Sequence, residues 1–208
     1  MALSKIDTAA IAADAVDTTQ IADDAITSAL IAANAVDATA LSSSAIAAGD
    51  LPSGSILQVK QTLLNTRANF ATNGTFADVS GLNVTITPSS TSSKIMILVH
   101  MGVGQSNQSY AKGRLLRGST AIANGTGDAT GEECTFSLYT SRYAGNYARN
   151  QDNASMCFLD SPNTTSATTY KIQAYTSANR TIYINYNNDG AAGRSNTVST
   201  ITAMEIAG

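Results

Sequence analysis

His100 is the only histidine in this chain, and it sits in the apolar run Ile97-Leu98-Val99-His100-Met101. An imidazole in such a run is a packed or interface residue far more often than a base or a ligand, because either chemical role needs a second group beside it. Cys134 and Cys157 are the only cysteines, and both fall inside apolar, strand-like segments. They have no metal-ligand spacing, and without a second histidine and with both thiols in apolar runs no zinc site or nucleophile with its base can be assembled. Buried free thiols are the first reading of the pair and a disulfide is the alternative. Sugar cleavage would need two facing carboxylates from among Glu132, Glu133, Asp152, Asp160, Asp189 and Glu205, and no pattern in the chain pairs them. Gly102-Val103-Gly104 follows a strand-like run, but no helical pattern and no third glycine come after it, so it is not a nucleotide loop. The spacing of oxygen-bearing residues around Asp128 fits no cation loop. The expectation is a protein that is not an enzyme, with no cofactor and no metal.

Recognition is the chemistry that remains. Tyr139, Arg142, Tyr143, Tyr147 and Arg149 lie close together among Ser, Gly and Asn, and Tyr183, Tyr186, Asn187, Asn188 and Arg194 form a second group. Tyr offers stacking area and a hydroxyl at small entropic cost, while Arg and Asn supply hydrogen bonds suited to glycans or polar protein loops. The alternative is that Tyr decorates strands, where it is favoured in any case. The first group, Tyr139 to Arg149, is the candidate receptor-binding segment.

These residues must be carried by something, and composition narrows the choice. The net charge is −3, and the 12 Lys and Arg are scattered without a run, so the chain has no electrostatic footprint for nucleic acid. Its start, Met-Ala-Leu-Ser-Lys, lacks a basic region followed by an apolar run, and no stretch reaches the about 18 apolar residues of a membrane span. The expectation is synthesis without a signal peptide and no membrane insertion.

Beyond residue 55 the apolar period is two. The alternation predicts strands over 56–64, 76–79, 82–87, 94–101, 110–116, 134–139, 155–159, 169–175, 180–186 and 198–206. The run 94–101 is apolar on both faces and reads as buried on both sides. Tyr170, Ile172 and Ala174 alternate with Lys171, Gln173 and Tyr175, and Ile182 and Ile184 alternate with Tyr183 and Asn185, which predicts sheets with one wet face. Many short strands without helical periodicity predict an antiparallel β-sandwich head over 56–208, jelly-roll-like in order.

Residues 1–51 follow another rule. Ile6, Ile11, Val16, Ile21, Ile26, Ile31, Val36, Leu41, Ile46 and Leu51 recur every five residues without a slip, and alternating Ala neighbours make the full unit a decapeptide. On a helix, five residues turn the next member about 140° around the barrel, and on a strand it points to the opposite face, so neither element gathers these side chains. Ala, Thr, Ser and Asp between them leave one copy no core. Several parallel copies around an axis would bury the aliphatics in layers, and three is the natural number for a narrow shaft. A disordered linker is the bland alternative, but its spacing would be expected to drift. Pro52 and Gly54 mark 52–55 as the joint between shaft and head.

The decapeptide array, Gly54-Ser55-Ile56-Leu57-Gln58-Val59, the segment 84–95 (Val-Thr-Ile-Thr-Pro-Ser-Ser-Thr-Ser-Ser-Lys-Ile), Phe158-Leu159-Asp160-Ser161-Pro162 and the ending 199–206 (Ser-Thr-Ile-Thr-Ala-Met-Glu-Ile) together resemble fibre proteins of tailed bacteriophages, especially marine ones. The resemblance spans nearly the whole chain. It implies a mainly β virion protein with an elongated N-terminal repeat shaft and a β-sandwich head, assembled as a parallel homotrimer on the tail or capsid exterior and serving in attachment to a host cell-surface glycan or protein. Other virion proteins would be met through the N-terminal shaft. A capsid or tail decoration fibre and a glycan-degrading tailspike are the other readings. The family carries no motif for catalytic or receptor-contact residues. The expectation, in contrast to long tail fibres, is that no separate tail-anchoring domain stands ahead of the repeat.

Overall fold

The computed structural model describes residues 46–105, 111–126, 133–138, 151–177, 180–187 and 196–208. The chain divides into two units, Met1–Ala47 and Ala48–Gly208. The expected shaft positions Ile6, Ile11, Val16, Ile21, Ile26, Ile31, Val36 and Leu41 lie outside the described residues, while Ile46 and Leu51 are both exposed. A short 3₁₀ turn, Ala48–Asp50, leads to the joint, where Gly54 takes a left-handed φ of 92° and its N–H donates to the Ala207 carbonyl at 2.8 Å. The chain therefore enters its second unit beside its own C-terminal strand.

The described part of that unit is mainly β. Its strands are β1 (Ile56–Leu64), β2 (Ala68–Phe70), β3 (Phe76–Ile86), β4 (Lys94–Gln105), β5 (Ala111–Arg117), β6 (Thr120–Ile122), β7 (Phe136–Ser137), β8 (Gln151–Asp160), β9 (Thr168–Thr176), β10 (Ile182–Ile184) and β11 (Ser199–Ile206). All their pairings are antiparallel. In the first sheet β4 pairs β8 on one side and both β11 and β10 on the other, with β1 beyond β11 and β2 beyond β10. β1 with β2, and β10 with β11, thus act as interrupted halves of single rows. The second sheet runs β3-β9-β5, with β6 and β7 sharing the row beyond β5. Val99, Ile97 and Ile201 from one sheet and Leu115, Ile172 and Tyr170 from the other share one hydrophobic core, an arrangement consistent with a β-sandwich.

Register fixes two ends. Ile56, Lys94, Asp160 and Ile206 lie together where the chain enters, and Gln151, Gly104 and Ile182 lie at the far end of the same sheet. In the second sheet Ile86, Arg117 and Thr168 share the near end and Phe76, Ala111 and Thr176 the far one. The strand ends on either side of 71–75, 106–110, 139–150 and 177–181 lie at the far end.

Several expectations are corrected. The stretches 76–79 and 82–87 are one strand, β3, whose pairing lapses between Asp78 and Asn83 around Gly81 at φ 80°. There the strand bends as a bulge, a conformation that an L side chain rarely tolerates. β4 is not buried on both sides: Ile95, Ile97, Val99 and Met101 face the core, but Leu98 is 36% exposed and His100 is exposed. No described residue of this chain covers that part of its outer face. Tyr183 and Asn185 do not form a wet face and are buried, at 9% and 1% exposed. Asn185, at φ 67°, donates to the Leu64 and Thr66 carbonyls at 2.7 and 2.9 Å and accepts from Ser199 Oγ at 2.6 Å, so it fastens the break between β1 and β2. β2 and β6 were not expected.

Candidate functional site

Two buried acids hold the near end together. Glu205, 0% exposed, accepts from Ser89 N and Ser89 Oγ at 2.6 Å, Ser93 Oγ at 2.7 Å and Gln58 Nε2 at 2.5 Å. The β3–β4 connection, β1 and β11 are thereby tied to one carboxylate. Burial pushes that carboxyl up, but the hydrogen bonds from Ser89, Gln58 and Ser93 outweigh it and hold it below the ordinary carboxylate value. Asp160, 6% exposed, accepts from Arg117 Nη1 at 3.0 Å and from the Tyr170 hydroxyl at 2.6 Å, linking the two sheets. Burial and then the Asp160 carboxylate push the Tyr170 phenol far up, so it remains a donor throughout the ordinary pH range. Both acids are fully engaged as structural acceptors. Among the described residues, no group of three or more His, Cys, Asp or Glu side chains is placed to hold a metal.

The candidate receptor-binding residues Tyr139, Arg142, Tyr143, Tyr147 and Arg149 lie outside the described residues. What is described is the anchoring of their segment. Leu138, 2% exposed, donates its N–H to the Ala111 carbonyl at 2.9 Å, and Gln151 pairs with Gly104 while its Nε2 donates to Thr197 Oγ1 at 2.7 Å. Both anchors are at the far end.

Beside the first anchor lies a cluster that the sequence reading missed. On the outer face of the second sheet the Arg114 guanidinium sits 4.0 Å from the Phe76 ring centre, and Lys112 Nζ sits 5.5 Å from that of Tyr175. The two rings are 5.4 Å apart. Arg114 Nε donates to Gln173 Oε1 at 2.8 Å, and Asp78 accepts from Lys171 at 2.7 Å and Gln173 at 2.6 Å. Hydrogen bonds from Lys171 and Gln173 lower the Asp78 carboxyl below its usual range. The cations cover ring faces and are thereby held in place, which makes a pre-ordered polar surface. Its members come from β3, β5 and β9, so no local motif announces it. The usable signal was alternation in β5, where Lys112 and Arg114 oppose the buried Ala111 and Leu115.

The second predicted group is not a free surface. Tyr183 and Tyr186 are each 9% exposed and Asn187 3%. The two rings pack 5.1 Å apart, nearly edge to face, Asn69 donates to the Tyr186 hydroxyl at 2.9 Å, and Arg67 lies 5.4 Å from the Tyr186 ring centre. Burial, with Tyr186 adding, pushes the Tyr183 phenol up. Asn188 and Arg194 lie outside the described residues.

The cysteine reading is half corrected. Both thiols are free, but Cys157 is exposed and Cys134 half-buried. In Ser155-Met156-Cys157-Phe158-Leu159 it is Met156 and Phe158 that turn to the core, leaving Cys157 outside with its Sγ 3.1 Å from Met96 Sδ. Comparison with protein-family models and with curated proteins finds no match to this chain.

Proposed function

We propose that this chain is a virion fibre protein of a tailed bacteriophage, in which a trimeric repeat shaft presents a jelly-roll head that attaches to the host cell surface. The row order carries the head reading. Numbering rows along the chain, the first sheet reads first, eighth, third, sixth and the second sheet second, seventh, fourth, fifth. Successive rows change sheet at every step except the hairpin from β5, which is the alternation expected of two interleaved Greek keys. Leu138 and Gln151, which bracket 139–150 in sequence, lie opposite the end where the chain enters, and a connection starting and ending there can vary without disturbing the core. The role is adhesion without turnover: three modest sites on one head engage repeated surface groups together, and effective concentration converts weak contacts into retention.

Replacing Tyr143 and Arg149 with Ala tests it by cell binding of labelled protein. Two anchors of this kind are each typically worth more than ~1 kcal/mol, so loss of both lowers each site by roughly 30-fold and avidity multiplies the effect. Binding should vanish while assembly mass and melting temperature stay unchanged. Full binding by the double variant would overturn the assignment to 139–150, and a parent protein that leaves host cells unlabelled would overturn attachment itself.

A further inference from the structure

Among the described residues, the outer face of the first sheet is covered at one half only. Toward the far end Thr197 stands so close over Gly102 that any Cβ there would collide with its hydroxyl, and Tyr183 and Tyr186 pack nearby. Toward the near end the face is bare, in that no described residue covers it. Alternation turns Val59 and Leu63 of β1, Met204 of β11, Met96 and Leu98 of β4 and Leu159 of β8 outward. Val59 and Leu63 are each 53% exposed, Leu159 47% and Leu98 36%, and these residues sit side by side in register rather than singly. A shallow groove of about 420 Å³ between β4 and β8 carries Leu98, His100 and Cys157 on its walls.

We propose that this half-face turns toward the axis on which copies of the chain meet, its occupant being the same surface region of the other copies converging there. The proposal rests on the homotrimer reading above and adds the surface that reading leaves open. Charge argues for self-contact. Rotational assembly brings identical or neighbouring side chains together, so a charged face repels its own copies. The outward residues of the bare half include no Asp, Glu or Arg, and the one Lys, Lys94, stands at the margin, where it donates to Ser161 Oγ at 2.8 Å. Gln61 Nε2 already donates to Thr202 Oγ1 at 2.8 Å, which limits the polar cost of covering the face. The second sheet's outer face carries Asp78, Lys112, Arg114 and Lys171 and lacks that property.

Area argues that the contact works together with the repeat. Four rows about 4.8 Å apart and roughly eight residues long cover on the order of 500 Å². That is short of the about 800 Å² per partner of a stable interface, so the face needs copies already held together. The exposed aliphatics continue this logic. Ile56, which opens β1, stands five residues beyond Leu51 and ten beyond Ile46, and the three are 58%, 39% and 55% exposed. The period that calls for copies thus runs on into the edge row of the bare face.

Cys157 makes the proposal measurable, because it is exposed in a single chain and lies on this face. In the full chain carrying Cys134→Ser, maleimide should modify Cys157 more than about tenfold more slowly than a Thr85→Cys reporter on the other sheet's outer face, in a chain lacking both native thiols. Leu98→Glu, at an already exposed position, should bring the Cys157 rate up to that of the reporter. Light scattering on the same samples separates the failures. Fast Cys157 modification in a protein of multiple chain mass overturns the face and leaves the assembly reading standing. A single-chain mass overturns both, and slow modification that Leu98→Glu leaves unchanged overturns the face.

Discussion

Glu205→Ala should destabilise the second unit by roughly 3 kcal/mol or more, because it strands several donors in a buried site. Ser89 N, Ser89 Oγ, Ser93 Oγ and Gln58 Nε2 all lose their common acceptor; of these Gln58 keeps only the Thr87 carbonyl at 2.7 Å. In thermal unfolding this corresponds to a fall of about 10 °C for a domain of this size. The same site predicts an acid dependence. Its folded carboxyl titrates below its ordinary value of 4.5, so the unfolded chain binds the proton more readily, and the stabilisation is complete above pH 4.5. It is lost as pH falls through the lowered folded value. Glu205→Gln has no proton to take up, so its melting temperature should decline less steeply than the parent's below pH 4.5, from a lower starting point at pH 7. Parallel curves for the two proteins would contradict this account of the site.

Asp160→Ala should cost about 2–3 kcal/mol, the second largest effect expected of a single change. The Tyr170 hydroxyl is fully buried and loses its acceptor, whereas the Arg117 side chain is 33% exposed and can turn to water, which lowers its share. Tyr170→Phe should cost about 1 kcal/mol in the parent and close to nothing after Asp160→Ala, since the bond it removes is then already gone. A double-variant cycle by denaturant unfolding checks this, and strict additivity would mean that Tyr170 and Asp160 act independently.

Which parts of this were legible in the sequence follows from how local each signal is. β4 was visible because Ile95, Ile97, Val99 and Met101 recur at every second position, and β1 was visible with its bounds from the turn residues before it. β2 and β6 have three residues each, too few to establish alternation, and only their partners make them strands. Alternation also cannot say which face is inside when both are apolar. That is why Cys157 was read as buried and β4 as covered twice. The Glu205 site was hidden for another reason. A single acid in an apolar strand carries no local meaning, and its partners lie 112 to 147 residues earlier in the chain. Ser89 and Ser93 looked like a polar turn because nothing nearby in sequence shows what they donate to. The Arg114 and Phe76 cluster was missed in the same way, being assembled from three strands.

The five-residue period is the reverse case, a local pattern that the proposed function explains by contacts between copies. In the proposed assembly copies share the ten aliphatics in register, and the same copies cover the exposed half-face of the first sheet. Light scattering on the full chain tests that claim most directly. The account predicts one species at three times the 21.4 kDa chain mass, and a monodisperse species at the mass of a single chain would contradict it.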